Sequence, residues 1–390
     1  MKVWFFRLFT IFVSFFVSVV LLFLLGELYF RFVFDLGFEY RKPSYFEFHQ
    51  QRGFTLKPGD YDVFEVTAFR KSNIHINSLG IRDRERSLKP SAGKRRVTIL
   101  GDSFVFAEVL NYGDRFTDQL ENLFADGQTE VVNVSSPAYG TAQEILLIEE
   151  LMGRGFDVGD TVVLVFFIND VCDNLGLDYG NLEARFPWQP VFAVNDSGML
   201  IQAQPPEMPS YPVAAMIDWV FYDFFVTRAA MLLNQYPILL TSLTKVGVPV
   251  PLPRTPGIIT TWYSPGWEER WGATETILQY WFENNKFQAV DKVIMYLPSP
   301  FQVEEGFKNI LINFKDRDAR YRDCLNDRDR PQRMLKKFCA DYGVPVIDTT
   351  GALRQASRKG VAYFPREGHL NEYGSRIVAQ EIYGYLEQKE

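Results

Sequence analysis

Four short stretches carry residues that could together perform acyl transfer: Gly101-Asp102-Ser103, Tyr139-Gly140-Thr141, Asn169-Asp170 and Glu367-Gly368-His369. A serine hydroxyl attacks a carbonyl only when a neighbouring base takes its proton, and the base in turn needs a group that fixes its tautomer. The chain has three histidines, and His49 and His75 precede its regular part, so His369 is the candidate base for Ser103. Glu367 stands two positions before it, where an extended backbone points both side chains to the same side, so its carboxylate can hydrogen-bond the imidazole. A backbone carbonyl is the alternative orienting group. The backbone N–H groups of Ser103 and Gly140, with the side-chain amide of Asn169, would form the oxyanion hole, each such donor being worth ~3 kcal/mol of barrier.

These residues fall where regular elements end. Strand-like apolar runs at 97–100, 131–134, 162–168, 292–297 and 344–348 alternate with helical stretches at 115–124, 141–153, 267–287, 331–342 and 371–386. Continuous rather than alternating apolar strands separated by helices indicate an α/β fold with a parallel sheet covered on both faces. Ser103, Gly140 and Asn169 each follow such a strand, at the carboxyl rim where open α/β sheets place their ligands. His369 lies in the loop before the last helix, which Asn371 is placed to cap. A short strand is also expected at 61–67.

The alternation is interrupted at 171–265, a Pro- and aromatic-rich insertion with a strongly apolar helical stretch inside 211–243. Asp218, Asp223 and Arg228 make that stretch expensive as a membrane span. A lid over the site, a helix at the membrane surface and plain packing on the sheet all remain open for it.

The N-terminus is of another kind. Residues 8–26 are uncharged and mostly Phe, Val, Leu and Ile, long enough to cross a bilayer as a helix. Lys2 and Arg7 precede this run, which favours a cytoplasmic N-terminus and a periplasmic or extracellular remainder. No small-x-small cleavage site follows, so an uncleaved anchor is favoured over a signal peptide. The expected organisation is an anchor at 1–28, a membrane-proximal lead-in at 29–94 and an α/β domain at 95–390.

A net charge of −7 argues against a nucleic-acid partner, and the Lys/Arg residues of 315–337 are interleaved with aspartates. Cys172, Cys324 and Cys339 lack zinc-ligand spacing. A disulfide from Cys324, in the charged loop, to Cys339, in the helix after it, and free buried thiols are equally open.

Read together, the four blocks resemble the SGNH/GDSL hydrolases: Gly101-Asp102-Ser103-Phe104, then Gly140, then Asn169 in Ile168-Asn169-Asp170, then Glu367-Gly368-His369-Leu370-Asn371, in the family's order. The resemblance covers roughly 76–386 apart from most of the insertion. It implies a flavodoxin-like three-layer α/β/α sandwich and no metal or other cofactor. It also implies esterase or O-acyltransferase activity with Ser103 as nucleophile, His369 as base, and Gly140 and Asn169 in the oxyanion hole. The family usually has aspartate where Glu367 stands, and Arg366 could compete for that carboxylate. Similar single-anchor members imply an acylated surface glycan as substrate and polysaccharide-assembly proteins as partners. A catalytically silent glycan-binding or scaffold relative, and a lipase or lysophospholipase, are the alternatives.

Overall fold

The computed structural model describes residues 2–32, 45–65, 68, 70–124, 127–178, 181–185, 189–206, 261–316, 319–365 and 367–389. The apolar stretch within 211–243, and Arg366, lie outside them. The chain divides into two units, Met1–Pro43 with Pro209–Pro251, and Ser44–Met208 with Leu252–Glu390.

In the first unit, helix α1 spans Lys2–Phe32. Its segment Phe6–Leu28 has a mean hydropathy of 2.9, and most of its large apolar side chains are exposed rather than packed against protein. At 1.5 Å per residue those 23 residues extend about 34 Å, which matches the ~30 Å hydrocarbon core. This is one helix long and apolar enough to cross a membrane.

The second unit begins with two antiparallel hairpins, β1 (Phe46–His49) with β2 (Gly53–Leu56) and β3 (Gly59–Glu65) with β4 (Arg70–Ile76). Of these strands only β3 is expected from the sequence, because β1 and β2 are four residues long and β4, RKSNIHI, has only two apolar positions, Ile74 and Ile76. The segment Asn77 to Arg82 then folds on itself, the Asn77 side-chain oxygen accepting from the N–H groups of Leu79 and Ile81. Next come β5 (Arg95–Gly101), α2 (Ser103–Phe106), α3 (Phe116–Leu123), β6 (Thr129–Ser135), α4 (Thr141–Gly153), β7 (Thr161–Phe166) and α5 (Asp170–Asp173). Two small hairpins follow, β8 (Leu177–Asp178) with β9 (Asn181–Arg185) and β10 (Val191–Val194) with β11 (Leu200–Gln204). After the stretch outside the described residues, the chain resumes with a short 3-10 turn at Thr261–Tyr263 and α6 (Trp267–Glu283).

The remaining elements are β12 (Asp291–Tyr296), α7 (Pro300–Val303), α8 (Glu305–Phe314), α9 (Ala319–Asn326), α10 (Arg330–Asp341), β13 (Val346–Asp348), α11 (Thr350–Ala356) and α12 (Glu372–Glu387). Cys324 therefore sits in a helix, α9, and not in a loop. The mixed-charge sequence hides that helix, whose buried face shows only in Tyr321 and Cys324, three residues apart. All three cysteines are free and buried, so no disulfide joins Cys324 to Cys339.

Strands β5, β6, β7, β12 and β13 form one parallel sheet in the order β13-β12-β7-β5-β6. Every residue of β7 is buried, as is every residue of β5 after Arg95, which is why these strands read as unbroken apolar runs. Numbered along the chain, the order is the 2-1-3-4-5 of flavodoxin-like folds, and helices flank the sheet in a three-layer α/β architecture. The chain leaves β5 toward β6 on one side and leaves β7 toward β12 on the other. A crevice therefore opens between the carboxyl ends of β5 and β7, and Ser103 and Asn169 follow those two ends.

Candidate active site

Ser103 is the first residue of α2, held there by the turn before it. Asp102 caps the helix, its Oδ1 accepting from the Phe104 N–H at 2.9 Å. The far end of α2 is fixed by Arg82, a buried residue whose guanidinium donates to the carbonyls of Phe106 and Ala107 and, at 2.6 Å, of Leu110. These bonds satisfy carbonyls that a four-residue helix leaves open.

His369 arrives from the C-terminal side. Its carbonyl accepts from Phe364 N–H at 2.8 Å and Gly368 N–H donates to Phe364 O at 2.9 Å, closing a tight loop. Gly368 has φ +90, a conformation that glycine alone adopts without cost, and it folds Glu367 back toward His369. Glu367 uses both oxygens on this residue: Oε2 accepts from the His369 backbone N–H at 2.8 Å, and Oε1 bonds ring Nδ1. The other ring nitrogen, Nε2, lies 2.8 Å from Ser103 Oγ. The side-chain length of glutamate lets the carboxylate reach both groups. Phe104 packs on the imidazole with ring centroids 4.3 Å apart, and Asn371 caps α12 through Gly374 N–H at 2.9 Å.

Burial opposes the imidazolium, but the Glu367 carboxylate, with Asp102 and Glu108 behind it, outweighs that and raises the His369 pKa to about 9. Glu108 had no signal in the sequence. Tyr45 Oη donates to its Oε1 at 2.8 Å, and Ser72 Oγ donates to its carbonyl. Arg70 of β4 stacks on Phe364 and pairs with Glu372, on either side of the His369 loop. Tyr45 and strand β4, which precede the sheet in sequence, thus contact Glu108 and the two flanks of the His369 loop.

Gly140 and Asn169 lie at the expected element ends, as the N-caps of α4 and α5. A Cβ on Gly140 would come within 2.9 Å of Asn174 and of Asp173, so the C-terminal end of α5 demands glycine there. The Gly140 N–H donates to Gln143 Oε1 at 3.0 Å. Asn169 Nδ2 donates to Asp102 Oδ2 at 3.1 Å and to Asp173 Oδ2 at 2.7 Å. Two residues before Gly140, Ala138 takes φ +59 in the turn after β6, where Pro137 precedes it and Tyr139 N–H bonds Ser136 O. A non-glycine residue in that region costs about 1–3 kcal/mol and persists only where its surroundings impose it.

Beneath Ser103 lie four buried carboxyls, Asp102, Glu144, Asp170 and Asp173. Neither oxygen of Glu144 has a hydrogen-bond partner, and burial, with Asp170, Asp102 and Asp173 nearby, pushes its pKa well above the carboxylate range. Burial, then Asp102 and Asp173, do the same to Asp170. Such surroundings favour the neutral form of a carboxyl. Among the described residues no group of three or more His, Cys, Asp or Glu is arranged to hold a metal ion.

No family model matches the chain, and no curated protein matches it. Among solved structures it is similar to a lipolytic protein of the G-D-S-L family from Veillonella parvula, at 14% identity and a TM-score of 0.34, over 75% of this chain and 98% of that one. It is similar to the acetyl xylan esterase AlAXEase at 12% identity and a TM-score of 0.36, over 75% and 99% of the two chains. An acetylxylan esterase from Geobacillus stearothermophilus matches at 12% identity and a TM-score of 0.35, over 75% and 94%.

Proposed function

We propose that the protein is a membrane-anchored serine esterase or O-acyltransferase that works through an acyl-enzyme on Ser103. The observation that carries this reading is the unbroken chain from Ser103 Oγ through the His369 ring to Glu367, with 2.8 Å between Oγ and Nε2. Ser103 Oγ attacks the acyl carbonyl carbon as its proton passes to His369 Nε2. The tetrahedral intermediate collapses, the ester C–O bond breaks, and His369 returns the proton to the departing alkoxide. Water or an acceptor hydroxyl, deprotonated by His369, then attacks the acyl-enzyme and frees Ser103. Glu367 stabilises the imidazolium in both halves.

The Ser103 N–H, the Gly140 N–H and the Asn169 amide supply the oxyanion donors. In the resting site the Gly140 N–H is held by Gln143 and the Asn169 amide by Asp102 and Asp173, so the oxyanion competes with these acceptors for both. The substrate class follows from the resemblance of the sequence motifs: an acyl ester carried on a surface glycan, handled alongside polysaccharide-assembly proteins. Lys2 and Arg7, at the N-terminal end of α1, support a cytoplasmic N-terminus with the α/β domain on the far side of the membrane. The test is labelling with a fluorophosphonate probe. Wild type should be labelled and Ser103→Ala should not; equal labelling of the two refutes the assignment.

A further inference from the structure

The turn from Ser136 to Gly140, which carries the oxyanion donor of this loop, is gripped by a residue far away in sequence. Arg52 lies between β1 and β2 and is only 1% exposed. Its Nε donates to Tyr139 Oη at 3.1 Å, and Tyr139 Oη donates onward to Phe54 O of the same hairpin. The Arg52 carbonyl accepts from Gln143 Nε2 at 2.7 Å, and Gln143 Oε1 holds the Gly140 N–H at 3.0 Å. The remaining arms of the guanidinium reach Glu150 Oε2 at 2.8 Å and Thr55 Oγ1 at 3.2 Å. One residue therefore fixes both flanks of Gly140, while Gln189 Nε2 holds the Ala138 carbonyl at 2.9 Å from the opposite side.

A buried guanidinium is a costly way to attach a hairpin, since apolar packing would do so without desolvating a charge. What it supplies instead is direction, because a planar fork with five donors fixes several acceptors at once. The strained backbone at Ala138 needs such outside constraint to persist. We infer that Arg52 is a positioning residue for the acyl-transfer reaction, setting through Tyr139 and Gln143 the turn that carries the Gly140 N–H, the oxyanion donor for which Gln143 competes. This rests on the acyl-enzyme reading above.

The test uses the full chain in detergent with p-nitrophenyl acetate as substrate, the active sites being counted by fluorophosphonate titration so that unfolded protein does not contribute. In Arg52→Ala and Arg52→Lys, kcat per titrated site falls about 10- to 100-fold, while KM changes by less than about threefold. Tyr139→Phe lowers kcat by less, and Arg52→Ala with Tyr139→Phe loses no more than Arg52→Ala alone, as expected for two residues acting through one bond. Should Arg52→Ala not fold, Arg52→Lys and Tyr139→Phe carry the test. A kcat per titrated site within about twofold of wild type in the folded variants, or losses that multiply in the double variant, overturns the inference. Wild type that cannot be titrated is a different result: it refutes the acyl-enzyme reading, and the inference falls with it.

Discussion

His369 Nε2 stands 2.8 Å from Ser103 Oγ across 266 residues of sequence, and the same imidazole is gripped at Nδ1 by Glu367. The relationship sets the pH dependence. With a pKa raised to about 9, His369 is an imidazolium at neutral pH and cannot accept the serine proton. Ester hydrolysis should therefore rise with pH up to about 9, the signature in kcat/KM of a base losing its proton. The stability effect has the opposite sign. A raised imidazole pKa contributes stability that is fully present below the ordinary 6.5 and is lost as pH rises through about 9. A flat rate profile over that interval would contradict the assignment of His369 as base.

Glu367→Gln removes the first of the carboxylates that raise this pKa. The midpoint of the rate profile should move to lower pH, and the plateau kcat should fall by roughly 10²- to 10⁴-fold as the imidazolium loses its counter-charge. A variant with an unshifted midpoint and full kcat would transfer the orienting role to a backbone carbonyl.

Glu144 sits 1% exposed among three other carboxyls, and these surroundings favour its protonated form. Its folded pKa is raised, so its contribution turns unfavourable as pH climbs above the unfolded value of 4.5 and grows until the folded pKa is reached. Glu144→Gln should melt higher than wild type at about pH 8, and the difference should shrink at about pH 5. Thermal unfolding at the two pH values checks this, and equal shifts at both would mean that the proton is not the source.

Arg82 holds three carbonyls at the end of the nucleophile turn. Arg82→Ala leaves those acceptors buried and unpaired, at a cost of about 3 kcal/mol or more. Denaturant unfolding reads this directly, and a loss under about 1 kcal/mol would show that water replaces the guanidinium.

The apolar helix α1 makes a separate prediction. Full-length protein should stay with membranes through alkaline carbonate washing, and a chain lacking residues 1–32 should be released. Retention of the shortened chain would place the membrane contact elsewhere.

The sheet was legible because its strands are buried on both faces and therefore read as apolar runs, and the helix at Thr141–Gly153 matched its sequence pattern to the residue. Ser103, Asn169 and His369 were legible because strand and loop ends concentrate chemistry. The support around them was not. Arg52, Arg82 and Glu108 are charged residues in irregular or short-stranded sequence, where the ordinary reading is a solvated surface, and only the folded chain brings Arg52 to Tyr139 or Glu108 toward His369. The β1–β2 hairpin escaped notice for the same reason, since four-residue strands show too few alternations to establish a period. The commitment of the Gly140 N–H to Gln143 depends on side-chain rotamers that no sequence pattern encodes.

The central claim is that an acyl group passes through Ser103. Its most direct test is rapid acid quenching of the protein during turnover of p-nitrophenyl acetate, followed by mass spectrometry of its peptides. The account predicts a gain of one acetyl group on the peptide containing Ser103, with accumulation enhanced by slowing deacylation and abolished in Ser103→Ala. Turnover with no acetylated Ser103 peptide at any quench time, or with the acetyl group on another side chain, would contradict it.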